Sequence, residues 1–379
     1  MSLNFTNEEA RRVLDLRRAL HQNPEPGNEE TFATDLILKT LSSLGIETLR
    51  PLATGCVGVL KGGLPGPRVA FRADIDALPV TEETGVSFAS LRPGCMHACG
   101  HDVHTAALLG AATLLVREKD RLPGTVLFVF QPDEEGDGGA ARLLDSGVLD
   151  GVDRFFGCHV SPDLPAGTVG VRYGKFYAAA DTFDAVFFGR GCHGATPEKG
   201  ADALAAAALS VPRLKALPAE FLPERAVVNV GSFHAGTVRN IVADRAEIMG
   251  IIRTLGEETR AAMGERVSQT LSEAAAAYGA AAELTLRRGY PGVVNHDRET
   301  ALVEERAAAL FGPEKVVRIE TPTMTTEDFG FYLQKAPGSF YHVGVGGEEP
   351  LHSPRFLPPE ETVLTAARLH AALALGVRL

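Results

Sequence analysis

The sequence predicts an α/β protein of two domains, and its length and its pattern of elements are the basis for that prediction. The chain has 379 residues, of which 45% are hydrophobic and 22% are charged. A chain of this length exceeds the size at which one hydrophobic core usually stops growing. Helical and strand-like patterns alternate in its first part, with helices at Ala10–Leu20 and Thr31–Leu44 and strands at Val69–Arg72, Thr125–Phe130 and Arg154–Cys158. This alternation predicts a mostly parallel sheet buried on both faces, with ligands bound beyond the carboxyl ends of its strands.

The middle of the chain follows a different pattern, in the order strand, helix, strand, strand, helix, strand. That order is typical of a ferredoxin-like α+β domain. Glycine-containing loops flank the segment at Tyr173-Gly174-Lys175 and Gly289-Tyr290-Pro291-Gly292, which favours an insertion between two parts of one domain. The predicted division is therefore 1–180 for the first part of the catalytic domain, 181–290 for the insertion, and 291–379 for the second part.

Composition argues against several classes of protein. The formal net charge is −11, tryptophan is absent and aromatic residues make up 7% of the chain, so a nucleic-acid partner is not expected. No apolar run approaches the roughly 20 residues needed to span a bilayer, and the first residues lack the apolar core of a signal peptide. We therefore expect a cytoplasmic protein without a membrane partner. The five cysteines are an odd number, which favours metal binding or burial over a disulfide framework.

The first cluster of residues that could bind a metal ion or take part in catalysis lies in Met96–His104, just before a helical pattern over Thr105–Glu118. Cys99 and His101 stand two residues apart at the entrance of that helix. Thiolate and imidazole are both strong ligands for zinc-like ions, so the pair predicts a metal site. The alternative is a helix entrance with a buried thiol and solvated histidines.

The second cluster is Asp133, Glu134 and Glu135, at the start of a glycine-rich turn. It follows an apolar strand that ends in Gln131-Pro132. Neighbouring side chains of an extended chain point in opposite directions, so one glutamate can bind a metal while the other takes a proton from water. A solvated acidic turn is the alternative.

Two further histidines complete a candidate ligand set. His159 stands at the end of an apparent core strand, and His352 lies in a loop after another strand. With Cys99, His101 and Glu135 they make five ligands, which suffice for two metal ions that share a bridging group. Asp74 and Asp76 also follow a strand, and Asp76 is a candidate carboxylate partner for the second N–H of a ligand histidine, although direct ligation is open as well.

Seven motifs, in this order along the chain, resemble those of the aminoacylase and carboxypeptidase metallohydrolases. The resemblance is closest to the branch of hippurate hydrolases, bacterial N-acyl-amino-acid amidohydrolases and plant auxin-conjugate hydrolases, and it extends over essentially the whole chain. The motifs are FRADIDALPV, MHACGHDVHTAALLG, FQPDEEGDGGA, GCHGATPEKGADAL, HAGTVRNIVADRAEIMGIIRTL, TTEDFGFY and PLHSPRF.

The resemblance implies roles for the residues of the metal site. It implies a bridging thiolate at Cys99, with His101 and His159 on one metal ion and Glu135 and His352 on the other. It implies that Glu134 is the general base and that two divalent ions per subunit, of zinc, manganese, nickel or cobalt, are the cofactors. The wider family has an aspartate bridge where this chain has Cys99, and a histidine ligand where it has the pair Asp74 and Asp76.

The resemblance also implies a zinc-aminopeptidase-like catalytic domain with an inserted lid through which such enzymes dimerise. In that lid, His193 matches a histidine that acts on the developing oxyanion across the dimer, and Asn240 and Arg253 match positions that hold the substrate carboxylate. Arginine suits this task because its planar fork pairs with a carboxylate through two hydrogen bonds. Asp74, His104, His234, Glu327 and Asp328 fall in similar motifs without an assigned role.

The expected activity is hydrolysis of the amide bond of an N-acyl-L-amino acid, with hippurate-like or N-acetyl compounds as substrates. A carboxypeptidase or aminopeptidase that acts on short peptides is the alternative, because the shape of the pocket and not the metal set selects the acyl group. A non-catalytic metal-dependent binding protein is a third interpretation. The intact base and ligand set disfavour it.

Overall fold

The computed structural model describes residues 3–377, which form helices and strands in alternation. The mixed α/β class predicted from the sequence is confirmed. The helices of the described residues are α1 (Asn7–Gln22), α2 (Thr31–Ser43), α3 (His101–Arg117), α4 (Gly139–Asp145), α5 (Ala203–Ala216), α6 (Glu257–Ala276), α7 (Asp297–Phe311), α8 (Gly330–Lys335) and α9 (Glu361–Gly376).

The strands were predicted in part, since short edge strands have little sequence pattern of their own. In chain order the described strands are β1 (Glu47–Leu49), β2 (Cys56–Lys61), β3 (Leu64–Asp74), β4 (Pro123–Gln131), β5 (Arg154–Ser161), β6 (Val169–Val171), β7 (Gly174–Tyr177), β8 (Ala179–Phe188), β9 (Ala226–Ala235), β10 (Arg245–Thr254), β11 (Ala281–Arg288), β12 (Val293–Asn295), β13 (Val316–Arg318) and β14 (Gly338–Gly344).

The described chain divides into two compact units. The first contains 3–174, Val294–Glu320 and 328–377, and the second contains Lys175–Val293 together with Thr321–Glu327. The short segment Thr321–Glu327 lies in the part of the chain that the sequence analysis places in the catalytic domain. It contacts the second unit through backbone hydrogen bonds from Thr323 to Phe176 and from Ala178 to Thr325.

The first unit is built on an eight-stranded sheet in the order β1-β2-β4-β3-β5-β14-β6-β13. Its centre, β4-β3-β5-β14, is parallel, whereas β1 and β2 on one side and the β14-β6 pair on the other are antiparallel. The parallel centre places the carboxyl ends of β3, β4 and β5 at one edge of the sheet, which is where ligands bind in such folds.

Both faces of the central strands are covered, as adjacent residues of β5 illustrate. Phe155 stacks on Tyr332 of α8, with ring centroids 5.0 Å apart, while Phe156 stacks on Phe71, whose ring meets His370 of α9. Because successive side chains of a strand point to opposite faces, α8 and α9 cover opposite sides of the sheet. This double burial explains why the central strands are almost continuously apolar.

Helix α3 is the central helix of the first unit and packs against α1 and α9. Fourteen of its first fifteen residues are buried, all except Thr113, so the helix is buried around its whole circumference. The chain enters the helix through Gly100, whose φ of 88° lies in the left-handed region. A Cβ at this position would lie 2.5 Å from Cγ2 of Val160, so both the backbone angle and the close approach to β5 require glycine.

The second unit is a four-stranded antiparallel sheet in the order β11-β8-β10-β9, with α5 and α6 packed against it. The elements follow one another as β8, α5, β9, β10, α6 and β11. Phe183 and Phe187 of β8 and Ile248 and Ile252 of β10 are buried against these helices. Alternating burial along β8 and β10 shows the period of two expected for a sheet covered on one face.

No helix among residues 3–377 is long and apolar enough to cross a membrane.

A buried ionic network joins α1 to the start of α3. Asp102 accepts a hydrogen bond from Nδ1 of His21 at 2.8 Å and lies 2.8 Å from Nε of Arg17, and all three side chains are inaccessible to solvent. Nε2 of His21 lies 3.1 Å from the carboxylate of Glu82. Burial lowers the pKa of His21, but Asp102 and Glu82 outweigh it and raise the pKa to about 9. His21 is therefore protonated in the folded protein at neutral pH.

This network predicts that the stability of the fold falls as the pH rises from about 6.5 to 9. The folded pKa of His21 lies above the unfolded value, so its stabilising contribution is complete below pH 6.5 and is lost as the pH passes 9. The loss amounts to up to about 3 kcal/mol of unfolding free energy. Urea unfolding of the metal-free protein, followed by circular dichroism because the chain has no tryptophan, measures it.

His21→Gln is expected to make the free energy of unfolding less dependent on pH between about 6.5 and 9. The control His234→Gln, at an exposed position of β9, should keep the wild-type dependence. Equal slopes for His21→Gln and the wild type would contradict the role assigned to the network.

Candidate metal centre

The predicted ligands converge at the carboxyl edge of the parallel strands in the first unit. Strand β3 ends at Asp74 and β4 ends just before the acidic turn, while His159 lies two residues before the end of β5. The start of α3 approaches the same edge. The residues brought together are Asp74, Asp76, Cys99, His101, Glu134, Glu135, His159 and His352.

One group of three donors consists of Cys99, His101 and His159, whose ligand atoms all lie within 4.8 Å of one another. The Sγ of Cys99 is 3.3 Å from Nε2 of His159. His159 uses its other ring nitrogen, Nδ1, to donate to the backbone carbonyl of Val160 at 2.7 Å. A proton on Nδ1 leaves the lone pair of Nε2 directed at the cluster.

The ring of His101 is oriented in the same manner by Asp76. Nδ1 of His101 lies 3.0 Å from the backbone carbonyl of Asp76 and 3.2 Å from its carboxylate. Nε2 of His101 is buried and has no hydrogen-bond partner among the described residues. Asp76 also accepts the backbone N–H of Glu135 at 3.0 Å, so one carboxylate fixes both a histidine and the acidic turn.

A second group of three donors shares Cys99 with the first and adds Glu135 and His352. Oε1 of Glu135 lies within ion-pair distance of Nε2 of His352, at 3.2 Å, but this contact does not have the angles of a hydrogen bond. Oε1 therefore has no hydrogen-bond partner among residues 3–377. His352 is half exposed and has a φ of 68°. Its backbone N–H donates to the carbonyl of Ala98 at 2.8 Å, which holds the strained loop beside Cys99.

Glu134 stands beside both groups. Its side chain is buried, and one of its oxygens lies within 4.8 Å of a ring nitrogen of His101 and of an oxygen of Glu135. The two adjacent glutamates thus approach one cluster. Glu135 is grouped with Cys99 and His352, and Glu134 is not.

His104 lies close to the cluster, but its two ring nitrogens are both engaged. Nδ1 donates to Asp74 at 2.6 Å, and Nε2 accepts the backbone N–H of Val160 at 3.0 Å. No lone pair of this ring is left for a cation, so His104 and Asp74 support β5 next to His159. His97 is also buried, and burial lowers its pKa to about 4.

Burial dominates the electrostatics of the cluster. It raises the pKa of the Cys99 thiol well above the ordinary value, and the charge of Glu135 acts in the same direction, against His101. Burial lowers the pKa of His159 well below its usual range, which keeps that ring neutral. Burial also lowers the pKa of His101, but Asp74 and Cys99 outweigh it and raise that pKa well above the usual range. Sulfur, nitrogen and oxygen donors buried side by side form a set that a divalent cation would satisfy.

Asp74 rests on a buried support that was not predicted from the sequence. Arg72 donates to Asp74 at 2.6 Å, to Asp328 at 2.8 Å and to Gln131 at 2.9 Å. Asp328 also accepts hydrogen bonds from the Gln131 amide at 2.8 Å and from the backbone N–H of Ala140 at 3.0 Å. An arginine inside the apolar strand RVAFRAD was the available signal, because a buried arginine requires acidic partners.

Within the second unit, His193 and Asn240 lie together, and Arg253 lies elsewhere. The pairing of β8 with β10 continues beyond both strands through backbone bonds from Val242 to Cys192 and from Gly194 to Asn240. His193 and Asn240 are exposed at this tip. Arg253 pairs with Ala180 at the opposite end of the sheet.

Comparison with known proteins identifies the family. The model of peptidase family M20/M25/M40 matches residues 70–376. N-acetylcysteine deacetylase of Bacillus subtilis is 40% identical over 370 residues, 97% of each chain. Thermostable carboxypeptidase 2 of Saccharolobus solfataricus is 37% identical and covers 96% of this chain and 94% of its own.

A crystal structure of the Bacillus subtilis YXEP protein, described as a dinuclear metal binding peptidase from the M20 family, has a TM-score of 0.89. It is 38% identical and covers 98% of each chain. The chain therefore belongs to peptidase family M20/M25/M40 and is a hydrolase of that family.

Proposed function

We propose that this protein hydrolyses the amide bond of N-acyl-L-amino acids with two divalent metal ions and with Glu134 as the general base. The single observation that supports this most is that Cys99 belongs to both groups of three donors. One group would hold one ion through His101 and His159, and the other would hold the second ion through Glu135 and His352. The thiolate of Cys99 would bridge the two.

The donor set fits a pair of such ions. Nε2 of His101 and Oε1 of Glu135 are buried and lack hydrogen-bond partners among the described residues, which is costly unless a ligand compensates. Thiolate and imidazole favour zinc, while the carboxylate also suits manganese, and nickel or cobalt accept the same mixed set. The relative described as a dinuclear metal binding peptidase supports two ions.

When bound, the ions would acidify a water molecule and polarise the carbonyl of the scissile amide. Glu134 would take the proton of that water, because its carboxylate adjoins the donor cluster without belonging to either group around Cys99. The same carboxyl group would then deliver the proton to the leaving amine nitrogen. Asp76 would hold the ring of His101 in the tautomer that presents Nε2.

Arg253 is the proposed binding residue for the substrate carboxylate. Its guanidinium donates to the carbonyl of Ile252 at 3.1 Å and has no carboxylate within ion-pair distance among residues 3–377. Burial lowers its pKa against the charge of Asp181, but an arginine remains protonated. A half-buried guanidinium group without a carboxylate partner favours a carboxylate ligand.

Asn240 and Arg253 cannot hold the same carboxylate within one subunit. The eight residue steps from Arg245 to Arg253 correspond to about 26 Å of strand, and Asn240 lies beyond Arg245. We therefore assign Asn240 and His193 to the site of a partner subunit, in a homodimer whose second unit is a ferredoxin-like lid. The order β8-α5-β9-β10-α6-β11 and the sheet order β11-β8-β10-β9 support the ferredoxin-like architecture of this unit.

Short peptides are the second candidate class of substrate. Thermostable carboxypeptidase 2 is nearly as similar to this chain as N-acetylcysteine deacetylase is. Both reactions break an amide next to an amino acid with a free carboxylate, so the proposed metal site and Arg253 would serve either. A panel of N-acetyl, N-benzoyl and peptidyl substrates with one common amino acid separates the two classes by kcat/KM.

Glu134→Gln is expected to lower kcat by about 10² to 10⁴, because it preserves the volume of the side chain and removes its basic oxygen. Metal content and KM should stay close to wild-type values. The measurement is turnover on the same panel together with elemental analysis. Asp137→Asn in the exposed part of the same turn is the matched control, and near-normal turnover of Glu134→Gln would refute the assignment of the base.

Cys99→Ala is expected to lose both metal ions, because the bridging thiolate is the donor common to the two groups. Elemental analysis after dialysis measures the stoichiometry, and circular dichroism checks the fold. Cys56→Ala, which also removes a buried thiol, is expected to keep both ions. Full occupancy in Cys99→Ala would exclude this residue as a ligand.

Mixing two inactive variants, His193→Ala and Glu134→Gln, tests whether His193 acts on the partner subunit. If it does, a mixed dimer contains one intact composite site. Random exchange of subunits makes half of the dimers mixed, so about a quarter of wild-type activity should return. A verified mixed dimer without activity, or a fully active monomer, would disprove the shared site.

A further inference from the structure

We propose that Glu30 is a positioning residue, which acts through Asp133 to fix the turn that presents Glu134 and Glu135. The inference rests on the proposed function, because it concerns the geometry of the proposed base and of one proposed ligand. It involves a part of the chain, Asn28–Glu30, that has no place in the proposed metal site. Glu30 and Asp133 are 103 positions apart in the sequence.

The backbone of Asp133 has an uncommon conformation. Its φ is 59°, in the left-handed region that residues with a side chain rarely occupy. Two backbone hydrogen bonds hold the residue there. Its N–H donates to Oε1 of Glu30 at 2.8 Å, and its carbonyl accepts the N–H of Gly138 at 3.1 Å. A strained conformation persists only where surrounding contacts enforce it, and Glu30 supplies one of these contacts.

The side chain of Asp133 is held as firmly as its backbone. Its Oδ2 accepts a hydrogen bond from Arg142 at 3.0 Å, and the same guanidinium donates to Oδ1 of Asn28 at 2.7 Å. A Cβ on Gly27 would lie 2.1 Å from Oδ1 of Asp133, and one on Gly136 would lie 2.2 Å from it. The carboxylate therefore fills a space that only glycines on both sides leave open.

Glu30 is not explained by the helix that it precedes. It occupies the N-cap position of α2, but its side chain makes no capping hydrogen bond there. Glu25 caps that helix instead, by accepting the N–H groups of Phe32 at 3.0 Å and of Ala33 at 3.0 Å. Glu30 is completely buried, and burying a carboxylate is costly. The hydrogen bond from the N–H of Asp133 partly offsets this cost.

The consequence for catalysis follows from adjacency in the chain. Glu134 and Glu135 follow Asp133 directly, so the backbone angles of Asp133 set the direction in which both carboxylates point. A displacement of about 1 Å at a catalytic group can lower a rate by about 100-fold. Loosening the turn should therefore reduce turnover even though no residue that touches the substrate or a metal ion has changed.

The test compares Glu30→Ala with Glu30→Gln. Oε2 of Glu30 has no hydrogen-bond partner among the described residues, so the glutamine amide can occupy its place while the remaining oxygen still accepts from Asp133. We expect Glu30→Ala to lower kcat by 10- to about 100-fold with little change in KM, and Glu30→Gln to restore most of it. Glu29→Ala, the exposed neighbour, should behave as wild type.

Hydrogen exchange of the metal-free protein gives a readout that does not depend on turnover. The peptide that covers 132–138 should exchange faster in Glu30→Ala than in Glu30→Gln or the wild type, while peptides from α3 and α9 should not change. Arg142→Ala removes the other support of Asp133, and because the Arg142 side chain is 40% exposed, we expect this variant to fold. It should show a smaller effect in the same direction, and Arg121→Ala is its surface control.

Each outcome decides the inference. Wild-type kcat and exchange in folded Glu30→Ala would overturn it, as would equal losses in Glu30→Ala and Glu30→Gln. If Glu30→Ala does not fold, wild-type kcat and exchange in Arg142→Ala would overturn it. Glu134→Gln in the same assay separates the two hypotheses, because normal turnover of that variant would refute the proposed base and not the support of the turn.

Discussion

The burial of ionisable groups at one edge of a parallel sheet is the constraint on which the rest of the first unit depends. The carboxylates of Asp74, Asp76 and Asp328 are paired there, and each pairing fixes a neighbour. Arg72 pairs with Asp74, Asp74 fixes the tautomer of His104, and His104 binds the backbone at Val160 beside His159. A hydrogen-bonded series thus runs from the interior of β3 to a proposed metal ligand on β5.

The start of α3 links two such networks because adjacent residues of a helix point about 100° apart. His101 faces Asp76 and the donor cluster, whereas Asp102 faces Arg17 and His21. The chain enters this helix close to β5, which only glycine at position 100 permits. The helix entrance that presents His101 is thus shared with an ionic network that none of the proposed ligands joins.

The sequence offered candidates for those parts of the proposed site whose signal is local. Cys99 and His101 before a helix, and Glu134 and Glu135 after a strand, were candidates from their spacing, whereas His159 and His352 became candidates only as members of a set. The partners of Arg72 and Asp133 could not be found, because Asp328 lies 256 positions from Arg72 and Glu30 lies 103 positions from Asp133. The antiparallel edges of the sheet were also missed, since β1 and β6 have only three residues each and the pairing direction of β2 depends on partners distant in the sequence.

The second unit adds a constraint of length. An antiparallel sheet keeps its two ends apart, so a residue at the Arg253 end and residues at the tip with His193 and Asn240 serve different places. The tip bears exposed polar side chains on loops rich in small residues, and its backbone is tied across two strands, so it is preorganised to present them. Under the proposed function, a single subunit would lack part of its substrate-binding set. Dimerisation would then be a requirement of catalysis, because the span of β10 prevents one lid from supplying both ends of the site.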